Sequence, residues 1–91
     1  MNQAHIDKGP LHGITVVVDT FGPAVFIGRY FEDRTEGILL LDADEHTEGA
    51  KGQTKDEFII TAAKQGQWKS LSKVIVPHTS VKSINRLIDF L

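Results

Sequence analysis

The sequence of 91 residues contains no cysteine. This absence excludes a disulfide scaffold, a zinc site built on thiolates and a cysteine nucleophile. The chain also has no apolar run near the ~18 residues of a membrane span, and residues 1–13 lack the charged and then apolar order of a signal peptide. We therefore expect one small soluble domain in the cytoplasm, since a chain of this length holds a single core.

An excess of positive charge is missing as well. The formal net charge is −2, whereas proteins that bind duplex DNA are normally basic. The charge is unevenly distributed along the chain. Residues 32–50 hold one arginine against seven acids, a net charge of −6, and residues 51–91 hold seven cations against three acids, a net charge of +4. Such segments are typical of solvated loops and faces.

Alternating apolar residues predict three strands in the first half of the chain. Ile14–Thr20 contains three consecutive valines, which favour an extended backbone. Ala24–Phe31 alternates in the same way but has Gly28 in its middle, where a glycine indicates a sharp bend or a close approach of another strand. Gly37–Leu41 predicts a third, strongly apolar strand.

Residues 43–66 interrupt the strand pattern. The first part, residues 43–53, is acidic and contains glycine, so it predicts a loop. Thr54 and Glu57 then have the spacing of a capping box, and Gly66 is a suitable terminator. The sequence therefore predicts a helix over residues 55–65. A strand over Phe58–Ala62 is the alternative, and the capping box, the alanines and the closing glycine favour the helix.

The last part of the chain predicts further strands. Residues 68–76 favour a strand that ends at Pro77. Beyond this proline the spacing of the apolar residues in 81–88 fits a helix, while residues 82–87 also fit a final strand, and both alternatives stay open. The single domain of residues 1–91 thus divides into a tail (1–13), three strands (14–42), an acidic loop with a helix (43–66) and the last strands (67–91).

Two stretches of this pattern resemble the Sm-like family of small bent β-barrels. Residues 25–30, Asp33 and residues 37–43 resemble the family's first motif, in which an aspartate in a turn separates a glycine-bent strand from an apolar strand. Residues 73–84 are similar to the second half of many Sm-like sequences. The resemblance implies a mainly β fold, a strongly bent, five-stranded antiparallel barrel of the SH3/Sm type. The predicted helix is inserted between strands 3 and 4, and this insertion of residues 43–66 is longer than the connection that is usual in the family. It also implies a tendency to form rings.

The residues that bind uracil in RNA-binding members of the family are replaced here. In those members an aromatic residue follows the turn aspartate by two positions and an asparagine follows it by four. Thr35 and Gly37 stand at these positions, so the stacking and the hydrogen-bonding halves of the pocket are both lost. Residues 77–79 (Pro-His-Thr) stand where a basic residue beside a glycine is usual. The resemblance therefore supports the fold and assembly more than RNA binding.

Three residues are weak candidates for contact with single-stranded RNA, namely Asp33, Arg34 and His78. An imidazole in an exposed turn stacks on bases or contacts phosphate, and an arginine contacts phosphate. The competing interpretations are a turn cap for Asp33, a salt bridge from Arg34 to Glu32 or Glu36, and a surface or interface role for His78.

Four aromatic residues are candidates for a base-stacking platform: Phe26, Tyr30, Phe31 and Trp68. Burial in the core or in an interface is the competing use of these side chains. A domain this small needs its large side chains for burial, which favours the competing use.

The late apolar strand is the candidate oligomer edge, through Val74, Ile75 and Val76. An unpaired apolar edge invites aggregation unless it is covered or paired. Pairing with a second copy satisfies its backbone, and head-to-tail pairing closes a ring whereas two-fold pairing gives a dimer. We therefore expect a homo-oligomer.

The sequence gives little support for a catalytic or metal site, although the alternating acids of residues 42–48 leave a divalent-cation site as a third alternative to a solvated loop. It has no glycine-rich phosphate loop and no nucleophile elbow. The acids of residues 42–48 lack calcium-loop spacing, and His46 has no second histidine placed for zinc. We expect no catalytic residue, metal or cofactor.

The leading hypothesis is a non-enzymatic Sm-like domain that self-associates through strand edges and binds RNA or a protein partner weakly. The alternative is a protein–protein adaptor, or a virion-type structural component, that docks a partner through the inserted helix.

Overall fold

The computed structural model describes residues 10–91. The regular elements are β1 (Thr15–Thr20), β2 (Ala24–Arg34), β3 (Gly37–Thr47), α1 (Lys55–Gln65), β4 (Leu71–Val76) and β5 (Val81–Arg86). Short 3₁₀ helices lie at Ala50–Gly52, His78–Ser80 and Leu87–Phe90. Most of the predicted tail lies outside the described residues, and residues 10–13 form a turn before β1.

The five strands form one antiparallel sheet in the order β4-β3-β2-β1-β5. The predicted fold class, mainly β with one helix between the third and fourth strands, is confirmed. The barrel is not closed, because β4 and β5 do not pair with each other and remain as the two edges of the sheet.

Gly28 allows β3 to pass close to β2. A Cβ atom at this position would lie 2.8 Å from the Cβ of Ala43 and 3.1 Å from the Cβ of Leu40. The register of the β2–β3 ladder also shifts between Ile27 and Arg29, which flank this glycine. The structure therefore shows the close approach that the sequence predicts here.

β3 continues to Thr47, although residues 43–53 were expected to form a loop. Asp42 takes a left-handed φ of 49°, and beyond it Ala43 pairs with Leu71 on β4. Asp44 can remain buried in the strand because the backbone N–H groups of Lys69 and Ser70 donate hydrogen bonds to its carboxylate. The acidic loop is thus shorter than the prediction and begins only after β3.

Two clusters of buried apolar residues lie on opposite faces of the sheet, because the valines of β1 alternate between them. The first cluster consists of Val16, Val18, Tyr30, Ile38, Leu40, Ala43 and Val76. The second consists of Val17, Val25 and Ile27 from the sheet with Ile59 and Ala62 from α1. Leu87 and Phe90 of the last 3₁₀ helix also pack on the second cluster. The inserted helix is therefore part of the core.

The predicted helix is confirmed with its capping box. The Oγ1 of Thr54 accepts from the backbone N–H of Glu57 at 3.1 Å, and the Glu57 carboxylate accepts from the N–H of Thr54 at 2.9 Å. The Nζ of Lys55 donates to Asp19 Oδ1 at 2.8 Å and to the carbonyl oxygens of residues 20 and 22 at 3.1 and 2.8 Å. These contacts fix the start of α1 to the turn between β1 and β2.

The sequence left a helix and a strand as alternatives for the end of the chain, and the structure shows a strand followed by a 3₁₀ helix. β5 pairs with β1, and its Val81 and Ile84 pack half-buried against the first cluster. Within the part of the chain that the structure describes, no helix has the length and apolarity needed to cross a bilayer.

Candidate functional site

β4 carries the predicted oligomer edge. Val76 is buried in the first cluster and Val74 packs half-buried against it, so these two side chains serve the core of their own copy. Ile75 points to the other face and is 38% exposed. Among the three predicted edge residues, Ile75 is therefore the apolar side chain that remains available to a partner.

β5 is the second edge of the sheet, and its outward surface is polar. Lys82, Asn85 and Arg86 are exposed, and Arg86 pairs with Asp89 at 3.1 Å. Lys82 on this edge and Lys73 on β4 form no ion pair within residues 10–91. Lysines on edge strands are a usual protection against unspecific strand pairing.

The structure brings Asp33 and His78 together. The Nε2 of His78 lies 2.5 Å from Oδ1 of Asp33, which joins the β2–β3 turn to the segment after β4. Gly37 permits this approach, because a Cβ atom at that position would overlap the backbone carbonyl of Val76. Two of the three candidate RNA contacts thus engage each other.

Arg34, the third candidate, donates from Nε to the carboxylate of Glu32. The local salt bridge given as its competing interpretation is present, and such an exposed pair contributes little to stability. Contact of Asp33, Arg34 and His78 with RNA stays a prediction, since it requires these side chains to leave their present partners.

The four candidate aromatic residues do not form one platform. Tyr30 is buried in the first cluster, where burial and, to a smaller extent, the charge of Asp33 raise the pKa of its hydroxyl. Phe26 packs half-buried against the same cluster, and the ring of Phe31 contacts His12 at a centroid distance of 5.3 Å. Trp68 is 90% exposed. The environment of its indole therefore differs from that of the other three rings.

Trp68 lies at an open groove of about 580 Å³ between α1, the end of β3 and the α1–β4 connection. In one wall the ring of His46 stacks on Phe58 with a centroid distance of 4.5 Å and an interplanar angle of 8°. The Nε2 of His46 contacts the backbone oxygen of Gln53 at 2.8 Å. Lys51 also lines the groove.

Asp44 fixes the segment that carries Trp68. Its Oδ1 accepts from the N–H and the hydroxyl of Ser70, both at 2.9 Å, and its Oδ2 accepts from the N–H of Lys69 at 2.8 Å and from Nε2 of Gln67 at 3.1 Å. Burial raises the pKa of the Asp44 carboxyl, but the hydrogen bonds from Ser70, Lys69 and Gln67 outweigh it and lower the pKa. Residues on both sides of Trp68 are thus held by one carboxylate.

The sequence predicts an acidic loop at Asp44 and so does not reveal the role of this residue. The available signal was its spacing of two from His46, which continues the period of β3. Within residues 10–91, no three histidine, aspartate or glutamate side chains are arranged to hold a metal ion.

Chains with a similar fold occur in two crystal structures of the NatC complex. One, in the complex bound to Gag peptide and CoA, has a TM-score of 0.52 and 20% identity and covers 81% of this chain and 82% of that chain. The other, in the complex bound to CoA, has a TM-score of 0.52 and 18% identity, with coverages of 92% and 83%. No protein-family model and no curated protein sequence matches the chain. At these identities the likeness shows the fold.

Proposed function

We propose that this chain is a non-enzymatic Sm-like domain that self-associates through the edges of its sheet. The observation that carries the proposal is the open sheet, whose edges β4 and β5 are both six residues long. An antiparallel pair between β4 of one copy and β5 of the next uses the full length of both strands. Repetition of this pairing closes a ring if the rotation between copies permits it.

The backbone of the two edges and one side chain of β4 support this pairing, whereas Lys73 and Lys82 act against unspecific pairing. Unpaired backbone groups of an edge strand gain hydrogen bonds when another strand adds to it. Ile75 supplies an exposed apolar side chain on β4. The resemblance of residues 25–43 and 73–84 to Sm-like sequences points to the same kind of assembly.

A charge placed at each edge tests the proposal. Ile75→Lys blocks β4 and Asn85→Lys blocks β5, and each variant alone is expected to be a folded monomer. Their mixture is expected to form a one-to-one dimer, because each supplies the edge that the other lacks. Gln65→Lys, at the exposed end of α1, is the matched control and should assemble like the wild type.

Different outcomes separate the modes of pairing. If two β4 edges pair with each other, Asn85→Lys still dimerises alone and the mixture gains nothing. A wild type that stays monomeric, by sedimentation or light scattering, contradicts the proposal.

The second candidate function is that of a protein–protein adaptor. It is favoured by the likeness to chains of the NatC complex, which is a multiprotein assembly, and by an exposed apolar residue on α1. Ile60 is 41% exposed there, while Ile59 and Ala62 face the core. Ile60→Lys is expected to lose protein partners that the wild type retains during purification while keeping its fold. Retention of the same partners contradicts this role.

Deletion of residues 48–66 is not a useful test of an adaptor. It removes the buried side chains that α1 adds to the second cluster, so loss of folding is the expected result. A surface substitution on α1 avoids this ambiguity.

A further inference from the structure

Positive charge is concentrated near the end of α1 and in the strands that follow it, and most of it is unpaired. Residues 58–88 contain no carboxylate side chain and hold five cations: Lys64, Lys69, Lys73, Lys82 and Arg86. Within the described residues, none of these four lysines forms an ion pair. By contrast, Arg29, Arg34 and Lys55 are all paired with carboxylates. The free lysines of this part of the chain therefore favour an anionic partner.

An exposed aromatic ring stands close to two of these lysines in the sequence. Trp68 is preceded by Lys64 and followed directly by Lys69, and the indole is 90% exposed. Tryptophan is normally well buried, and a fully wetted ring is a common anchor for binding. Asp44 holds the side chain of Gln67 before the ring and the backbone N–H groups of Lys69 and Ser70 after it. A segment that is ordered before binding lowers the entropic cost of binding.

We propose that Trp68 and the lysines beside it bind single-stranded nucleic acid. One base stacks on the indole, and neighbouring phosphates contact Lys64 and Lys69. This combination of an aromatic ring with a basic surface is how proteins hold single strands without strong sequence preference. Lys51 lines the groove beside Trp68 and supplies a further cation for the bound nucleic acid.

Other parts of the described surface fit a single strand less well. Asp33 and His78 engage each other, and Arg34 engages Glu32. Phe21 is an exposed ring in the β1–β2 turn, but the lysine that reaches this turn makes three contacts there and is not free. Trp68 is therefore the exposed ring with free cations beside it.

The exposed carboxylate of Glu45 repels an anionic ligand in the groove. Glu45 lines the groove and is exposed, whereas the charge of Asp44 is buried and satisfied by four hydrogen bonds. We therefore expect Glu45→Gln to bind single strands more tightly than the wild type. An unchanged or weaker affinity would place the strand outside this groove.

The intrinsic fluorescence of the protein tests the site directly, because Trp68 is the sole tryptophan of the chain. Titration with short oligouridylate and oligothymidylate at low salt is expected to quench this fluorescence. The two probes show whether RNA or DNA is preferred. Binding should weaken between about 50 and about 200 mM salt, with a slope of log affinity of about −0.7 for each phosphate contacted. Absence of quenching by both probes overturns the proposal.

Variants locate the site, with affinity measured by the anisotropy of a labelled oligouridylate. Trp68→Ala is expected to weaken binding about tenfold or more, and Trp68→Phe should restore part of the loss because it retains a ring. Lys64→Ala and Lys69→Ala should each weaken binding and reduce the salt slope by about 0.7. Phe21→Ala, which removes an exposed ring elsewhere, is the control and should bind like the wild type.

Two results would overturn the assignment. If His78→Ala or Arg34→Ala abolishes binding while Trp68→Ala does not, the strand binds at the β2–β3 turn. If polyglutamate quenches Trp68 and the oligonucleotides do not, the surface serves an acidic protein segment. The site lies on α1 and the α1–β4 connection, so binding should persist in the Ile75→Lys variant. Failure of self-association and failure of nucleic-acid binding are thus observed separately.

Discussion

At the scale of single residues, two aspartates on β3 have different roles. Asp44 is buried and accepts four hydrogen bonds, whereas Asp42 is half-buried and pairs with Arg29 at 2.7 Å. We expect Asp44→Asn to reduce the free energy of unfolding by about 2 kcal/mol or more, because an amide nitrogen replaces an acceptor and leaves a buried N–H unsatisfied. Urea unfolding measures the loss.

Asp42→Asn is the matched control for this substitution. The half-exposed pair with Arg29 is worth about 1 kcal/mol, and asparagine tolerates the left-handed φ of residue 42. Equal losses in the two variants would contradict the role assigned to Asp44.

Asp44 also predicts a dependence of stability on pH. Its pKa in the folded state lies below the ordinary value of 3.8, so the folded state favours the charged form more than the unfolded state does. This contribution is complete above the unfolded pKa and is lost as the pH falls through the lower folded pKa. The stability difference between wild type and Asp44→Asn, from urea unfolding at several pH values, should therefore shrink below pH 3.8. A difference that grows on acidification would be inconsistent with this sign.

Gly28 gives a prediction about packing. A methyl group at residue 28 would lie 2.8 Å from the Cβ of Ala43, so Gly28→Ala is expected to cost about 1–3 kcal/mol in thermal or urea unfolding. Adding Ala43→Gly removes the nearest clashing atom and should recover part of the loss. Gly22→Ala is the control, since the nearest atom to its Cβ is 3.9 Å away. A neutral Gly28→Ala would show that β3 does not approach so closely.

At the scale of elements, α1 joins the core through one face. Ile59 is buried against the sheet, while its neighbour Ile60 is 41% exposed. We expect Ile59→Ala to reduce the free energy of unfolding by about 2–5 kcal/mol and Ile60→Ala to change it by less than about 0.5 kcal/mol. Similar effects of the two substitutions in urea unfolding would mean that α1 does not dock on this face.

The elements also show which features a sequence can reveal. α1 was predictable because its signals are local: Thr54 and Glu57 cap one end and Gly66 closes the other. The extension of β3 has only one local signal, the spacing of Asp44 and His46. It depends on the left-handed backbone at Asp42 and on hydrogen bonds from Lys69 and Ser70, which are 25 and 26 residues away from Asp44.

The candidate sites follow the same division. The apolar edge at Ile75 was predictable from strand pattern alone. The pairing of Asp33 with His78 was not, since the two residues are 45 positions apart. The sequence identifies Trp68 as a possible stacking residue, but not its exposure or the contacts of Asp44 with the residues on both sides of it.

At the scale of the whole molecule, the small net charge conceals a separation of charge. Acids dominate residues 32–50, where several are already paired with cations, and the free lysines follow in the second half of the chain. The open sheet leaves β4 and β5 as two edges of equal length. The free lysines support binding of a single-stranded nucleic acid, and the two free edges support association of copies.

Self-association through the sheet edges is tested most directly by the native mass of the wild-type protein over a series of concentrations. We expect a mass that is a multiple of 10.1 kDa and that falls to 10.1 kDa in the folded Ile75→Lys variant. A wild-type protein that stays at 10.1 kDa at every concentration would contradict the proposed function.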